Sequence, residues 1–215
     1  MEYVCDKCGK RESVTTRKAK CECGGLWKLD FKPPKFDLNE VDKNEWSMFR
    51  YRKFMALEDE SWKDITLGEG MTPIVRFDEN VLLKMDYFMP TLSFKDRGAA
   101  VLMSHCKAIG VDSVVQDSSG NAGNSVAAYG AKAGIKCEIF VPEGTSPKKI
   151  NMIRAHGAEC TVVREAAIIV RMSAAVKWRM TVLSMQIMFI IHSFMKVPRP
   201  ICMKYMNSSE DSRRT

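Results

Sequence analysis

The chain has 215 residues, 46% hydrophobic and 27% charged, with 13 Gly and 8 Pro. That composition excludes a mainly disordered chain, and the length allows one generous domain or one domain plus a small module. The formal net charge of +7 invites a nucleic-acid reading, but residues 1–163 carry 24 Lys+Arg against 23 Asp+Glu, while residues 164–215 carry 9 against 3. The basic character therefore belongs to the tail, and no nucleic-acid partner is expected.

No run reaches the roughly 18–20 apolar residues that span a bilayer. The most apolar stretch, Val182 to Met195, is interrupted by Gln186 and His192, so no membrane partner is expected either. The first residues, MEYVCDKCGK, hold no apolar signal core. Together with thiol-type cysteine usage, this sets the expectation of a cytoplasmic protein.

Residues 1–30 form the first segment. Cys5, Cys8, Cys21 and Cys23 give the spacing C-x₂-C-x₁₂-C-x-C, with Gly9 and Gly24 following the pairs where a tight knuckle needs them. Zinc takes four soft ligands in a tetrahedron, and two short knuckles supply them. Thirty residues bury too little core to fold alone, so a metal staple makes physical sense. The alternative is four free thiols or an empty ribbon. Residues 31–66 open with a Pro33-Pro34 linker. Asn44–Leu57 has apolar residues at 46, 48, 49, 51, 54, 55 and 57, a pattern that predicts an amphipathic helix.

Residues 67–163 have a regular rhythm. Gly110, Gly134 and Gly157 each end a helical pattern and precede a short strand pattern, at Asp112–Gln116, Lys136–Val141 and Glu159–Val163. Glycine just past a helix relieves the cost of the left-handed turn that ends it. Helices are predicted from about Lys95 to Ile109, with Ser93 as N-cap, over Ala122–Lys132, and from Thr145-Ser146-Pro147 onward. Strand–helix units of this length predict βαβ crossovers, hence an α/β fold with a parallel sheet. Residues 164–215 break the rhythm: they contain no glycine and hold 7 of the 15 methionines.

Two motifs carry chemistry. In Pro90-Thr91-Leu92-Ser93-Phe94-Lys95-Asp96-Arg97-Gly98, Lys95 falls in the first turn of a helix, at the positive end of its dipole and close in sequence to Arg97. Both effects favour the neutral amine that attacks an aldehyde. A lysine reaching out to solvent is the plain alternative. In Ser118-Ser119-Gly120-Asn121-Ala122-Gly123-Asn124-Ser125, small residues join a strand to a helix at the carboxyl edge of the sheet. Exposed N–H groups at such a helix start suit a carboxylate, and Asn121 offers both a donor and an acceptor. A capped tight turn without a ligand is the alternative there.

Together these motifs, with Gly68-Glu69-Gly70-Met71-Thr72-Pro73 upstream and the cysteine ribbon, resemble the fold type II pyridoxal-phosphate enzymes, and among them the threonine synthases. The resemblance runs from about Cys5 to Val163. It implies a partial three-layer parallel sheet of that fold, with a zinc-ribbon-like segment in front. It implies that Lys95 holds pyridoxal 5'-phosphate and then moves substrate protons, and that Asn121 hydrogen-bonds the ring hydroxyl. Ser119, Gly120, Asn121, Ala122 and Gly123 would receive the substrate carboxylate. The family reaction is loss of phosphate from O-phosphohomoserine followed by addition of water to give threonine. A homodimer of the full-length form is the assembly it implies. His105 and His156 are expected to be structural. Leu92 departs from the family, which more often has Gly, and is expected to alter loop flexibility more than chemistry.

Family members also carry a glycine-rich phosphate-binding loop and a C-terminal Ser or Thr, and no glycine follows Gly157 here. The composition of residues 164–215 sets the expectation of an out-of-frame tail after about residue 165, and of a chain incomplete as a catalyst. Two rival readings stand beside this one: a relative on the same scaffold, such as cysteate synthase or threonine dehydratase, and a non-catalytic zinc-stapled fragment.

Overall fold

The computed structural model describes residues 1–164 except Arg17, Ala19, Glu58 and Ser119, together with the backbone of Met180 and Thr181. At the start, β1 (Glu2–Cys5) lies between β2 (Arg11–Ser13) and β3 (Trp27–Leu29) in a three-stranded antiparallel sheet. Its core is Tyr3, Cys5, Cys21 and Trp27, and the Trp27 indole N–H donates to the Lys18 carbonyl at 3.0 Å. Four buried side chains are little to hold thirty residues by burial alone.

The helix expected over Asn44–Leu57 is not there. Met48–Phe54 forms 3₁₀ turns kinked at Tyr51, which has φ −99° and ψ 15°. The physical reason is a competing partner: the Met48 N–H donates to the Glu69 carbonyl at 2.7 Å. The apolar residues that suggested a helix are a tertiary wedge, with Met48, Phe49 and Phe54 buried and Phe49 stacked on Trp62 at 4.8 Å. Trp62 opens the short α1 (Trp62–Ile65). A hairpin unforeseen in the sequence follows, β4 (Ile74–Arg76) against β5 (Leu82–Lys84). Its turn is tied by Asp78, whose Oδ1 accepts the N–H groups of Asn80 and Val81.

The predicted strand–helix units are present with bounds shifted by a residue or two. α2 (Lys95–Ala108) precedes β6 (Ser113–Asp117), α3 (Asn121–Ala133), β7 (Lys136–Pro142), α4 (Pro147–Ala155) and β8 (Glu159–Val163). The sheet order is β8-β7-β6-β9, with every pair parallel. Here β9 is Met180–Thr181, beside Val114 and Val115 of β6. Apart from Arg164 and those two residues, the segment expected to be out of frame lies outside the described residues. Gly110, Gly134 and Gly157 have φ of 69°, 71° and 82°, the left-handed turn that ends each helix.

Val114, Ile139 and Cys160 face the helices and join the main core with Ala99, Met103, Val126 and Ile153, while Val115, Phe140 and Val163 form a separate cluster. α2 and α3 run side by side in one direction. Near their N-termini the Ser125 hydroxyl donates to Asp96 at 2.6 Å, and near their C-termini Lys107 Nζ donates to the Ala133 carbonyl at 2.9 Å. Two positive helix ends therefore lie together. Among the described residues no helix is long and apolar enough to cross a membrane.

Candidate active site

β6 ends at Asp117, and after three intervening residues α3 begins. Lys95 is the first residue of α2 and Asn121 the first of α3. Phe94 precedes Lys95 and Gly120 precedes Asn121, and Gly120 brings no side-chain cap to α3. The Ser93 hydroxyl accepts the Lys95 N–H at 3.3 Å and its carbonyl accepts the Asp96 N–H at 3.2 Å, so Ser93 caps α2 as the sequence predicts. Phe94 already has helical φ and ψ, which places it inside the first turn of α2. The Lys95 side chain is half-buried, with Nζ 4.8 Å from the Phe94 ring centroid. Arg97 points its charge elsewhere, donating to Asp86 Oδ1 at 3.2 Å. Leu92 has φ +61° and an exposed side chain. An L residue is strained there, where glycine would not be.

In the second motif, Asn121 is exposed, Gly120 and Ala122 are half-buried and Gly123 is buried. Ser119 lies outside the described residues. The glycines serve different ends. A Cβ on Gly123 would stand 2.2 Å from the Ser118 carbonyl oxygen, so only glycine lets strand and helix approach this closely. A Cβ on Gly120 would meet nothing within 4 Å, which leaves open space against an uncapped helix start. Beneath the loop, Asn124 Oδ1 and Gln116 Oε1 are buried and have no partner among the described residues.

Several functional candidates are polar residues that the sequence reading passed over. Asp96 is fully buried. Its carboxylate accepts the Thr91 N–H at 2.7 Å, the Thr91 hydroxyl, and the Ser125 hydroxyl. An acid in a helix's first turn is the one available signal, since it suits the dipole. Glu69 is equally buried. It accepts the Leu67 N–H at 2.9 Å, the Thr66 hydroxyl at 3.1 Å and the Tyr129 hydroxyl at 2.8 Å. Burial pushes the Glu69 carboxyl up despite these donors, and burial likewise raises the Tyr129 phenol. Sixty residues separate the two, so no local pattern reveals the pair. His105 lies late in α2 and His156 caps the end of α4, so neither is at the paired helix starts.

The four N-terminal cysteines converge. Sγ of Cys5 and Cys23 are 3.4 Å apart, those of Cys8 and Cys21 3.6 Å, and all four lie within 4.8 Å of one another. Four sulfurs about 2.3 Å from one zinc ion would stand about 3.8 Å apart, so the cluster fits that ion closely. Burial pushes the Cys5 thiol up, but the N–H groups of Cys8 and Lys7 and the neighbouring thiols Cys23 and Cys8 outweigh it and hold it at about 6.

Residues 65–198 match the family described as pyridoxal-phosphate dependent enzyme. The chain belongs to that family. The match covers more than half of it and runs past Val163, where the motif resemblance stopped. The chain is also 37% identical over 152 residues to the threonine synthase of Methanocaldococcus jannaschii, covering 65% of this chain and 37% of that protein. With the threonine synthase of Methanosarcina acetivorans it shares 30% identity over 174 residues, covering 74% of this chain and 42% of that one. The chain thus spans about two fifths of the length of these relatives. Among solved structures, O-ureido-L-serine synthase aligns with a TM-score of 0.47 and 25% identity, over 57% of this chain and 42% of that one.

The residues present fit the family's cofactor. Lys95 supplies an amine, and the start of α3, whose N-cap Gly120 has no side chain, supplies N–H groups without intrahelical acceptors. The open space at Gly120 and the unpartnered Asn124 Oδ1 leave room and polarity for a ligand.

Proposed function

We propose that the chain carries the lysine-bearing α/β portion of an enzyme of the threonine-synthase type, which releases phosphate from O-phosphohomoserine and adds water to give threonine. Pyridoxal phosphate, when bound, draws electrons from the substrate carbons next to the amino group. Lys95 Nζ holds that cofactor and afterwards moves protons at the substrate's carbon atoms. The Asn121 amide hydrogen-bonds the ring hydroxyl. The N–H groups from Ser119 to Gly123 receive the substrate carboxylate, at the end of α3 where the dipole favours an anion. Gly120 keeps the approach open, and Gly123 lets α3 sit tightly over the end of β6. The four cysteines hold a structural zinc; with four thiolates the site is closed to substrate, so the metal stabilises the ribbon and takes no part in the reaction.

The observation that carries this reading is the side-by-side start of α2 and α3, which brings the two motifs to one edge of a parallel sheet. That edge is where α/β folds take ligands. The test is reductive trapping. The chain is mixed with pyridoxal phosphate, reduced with borohydride and mapped by peptide mass spectrometry, alongside phosphate release from O-phosphohomoserine. A pyridoxyl group on Lys95 is expected, and it should vanish in Lys95→Ala. Equal labelling scattered over surface lysines would overturn the assignment.

A further inference from the structure

We propose that Asp96 is a positioning residue, a buried carboxylate that fixes Lys95 against the first turns of α3 so that the amine and the Asn121 loop address one ligand. The inference rests on the cofactor reading above.

Asp96 is 0% exposed. A charge so deeply buried persists only where donors replace water. Three do so, and they come from both motifs. Thr91, four residues before Lys95, gives its N–H at 2.7 Å and its hydroxyl. Ser125, four residues after Asn121, gives its hydroxyl at 2.6 Å. The two hydroxyl oxygens are themselves 2.9 Å apart. Of its two cationic neighbours in sequence, Lys95 sets its Nζ against the Phe94 ring and Arg97 is committed to Asp86, so Asp96 is held by dipoles: these donors and the start of α2.

The placement is specific to the site. Asp96 adjoins Lys95 in the first turn of α2, so whatever fixes one carboxylate fixes the backbone that aims the amine. The Thr91–Asp96 bonds span Leu92, whose φ of +61° is strained for its type. Backbone strain persists only where the surroundings hold it. Losing one hydroxyl leaves a buried carboxylate short of a donor and frees the loop ahead of Lys95. A hydrogen bond to a charged group is worth on the order of tenfold or more in an equilibrium.

The test uses the full chain and the borohydride trap. Thr91→Val keeps shape and removes the hydroxyl, Thr91→Ser restores it, and Ser125→Ala removes the other hydroxyl donor. Each is assayed well below its own melting midpoint, with saturating pyridoxal phosphate. The rate of pyridoxyl-Lys95 formation should fall about tenfold in Thr91→Val and in Ser125→Ala, and Thr91→Ser should stay within about twofold of the native chain. A merely structural role would lower the melting midpoints and leave these rates unchanged in the folded variants. Native labelling rates in Thr91→Val and Ser125→Ala would overturn the positioning role and leave the cofactor reading intact. Loss of rate in Thr91→Ser as well would overturn it too, since the hydroxyl would not be the cause. Absence of label at Lys95 in the native chain would overturn the cofactor reading first, and this inference with it.

Discussion

Gly120 and Gly123 stand three residues apart in one motif, yet their substitution by alanine should have opposite consequences. At Gly123 the added Cβ would lie 2.2 Å from the Ser118 carbonyl oxygen and 3.1 Å from Ile139 Cγ2. Real Cβ atoms keep at least 3.0 Å, so a gap of about 0.8 Å must open. The blocking atom is backbone, and that backbone is anchored: the Ser118 N–H donates to the Phe140 carbonyl at 3.2 Å. Either β6 and α3 part or the loop moves. Overpacking of this kind costs about 1–3 kcal/mol, which for a chain of this size lowers the melting midpoint by about 2–12 °C. At Gly120 nothing lies within 4 Å and the backbone is extended. Alanine there trades a weaker N-cap for a less flexible unfolded chain, a net change within about 0.5 kcal/mol. Its effect should fall on ligand entry, as slower trapping of pyridoxal phosphate at Lys95. Thermal unfolding followed by circular dichroism, with the trapping assay beside it, separates the two. If Gly120→Ala destabilises as much as Gly123→Ala, the division between a packing glycine and a ligand-facing glycine is wrong.

Glu69→Gln tests the buried carboxyl. Burial raises its folded pKa above the ordinary value near 4.3, so the folded state binds this proton better; its contribution to stability is present below about pH 4.3 and lost as pH rises through the raised value. The stability of the native chain relative to Glu69→Gln should therefore decline as pH rises through that window, read by denaturant melts; a difference that grows with pH would refute the assignment. Leu92→Gly should raise the melting midpoint by about 1–4 °C, because the left-handed strain exceeds the added chain entropy and the exposed side chain buries little; a lower midpoint would show that the leucine packs usefully. Elemental analysis should find one zinc per chain, lost in Cys8→Ser; a metal content unchanged by that substitution would count against the cysteine site.

The parallel sheet was legible because its grammar is local. Gly110, Gly134 and Gly157 mark helix ends through a backbone conformation that few other residues accept, and Pro147 marks a helix start. The cysteine cluster was legible for the same reason, as spacing within 19 residues. What was misread depends on distant partners. The apolar run Asn44–Leu57 satisfied a helical period, but its backbone bonds to Glu69 and its rings pack on Trp62. The β4–β5 hairpin had a usable signal in Asp78-Glu79-Asn80 between two apolar runs, and was passed over. Asp96 and Glu69 look like ordinary surface acids until Ser125 and Tyr129 are brought to them from 29 and 60 residues away.

That distance explains how the two motifs are brought together. A strand–helix rhythm places Lys95 and Asn121 at helix starts but does not set the offset between those helices. The offset is set at both ends by polar bonds, Asp96 with Ser125 at one and Lys107 with the Ala133 carbonyl at the other. Apolar packing between α2 and α3, built largely from Ala, Val and Met side chains, tolerates sliding more readily than directional bonds to a buried charge do. The first turn of α3 contains no acid, and the one in α2 is Asp96, turned inward onto hydroxyls. Among the described residues, no carboxylate accepts from the first-turn N–H groups of either helix. On the reading proposed above, an incoming anion would meet two positive helix ends and the Lys95 amine.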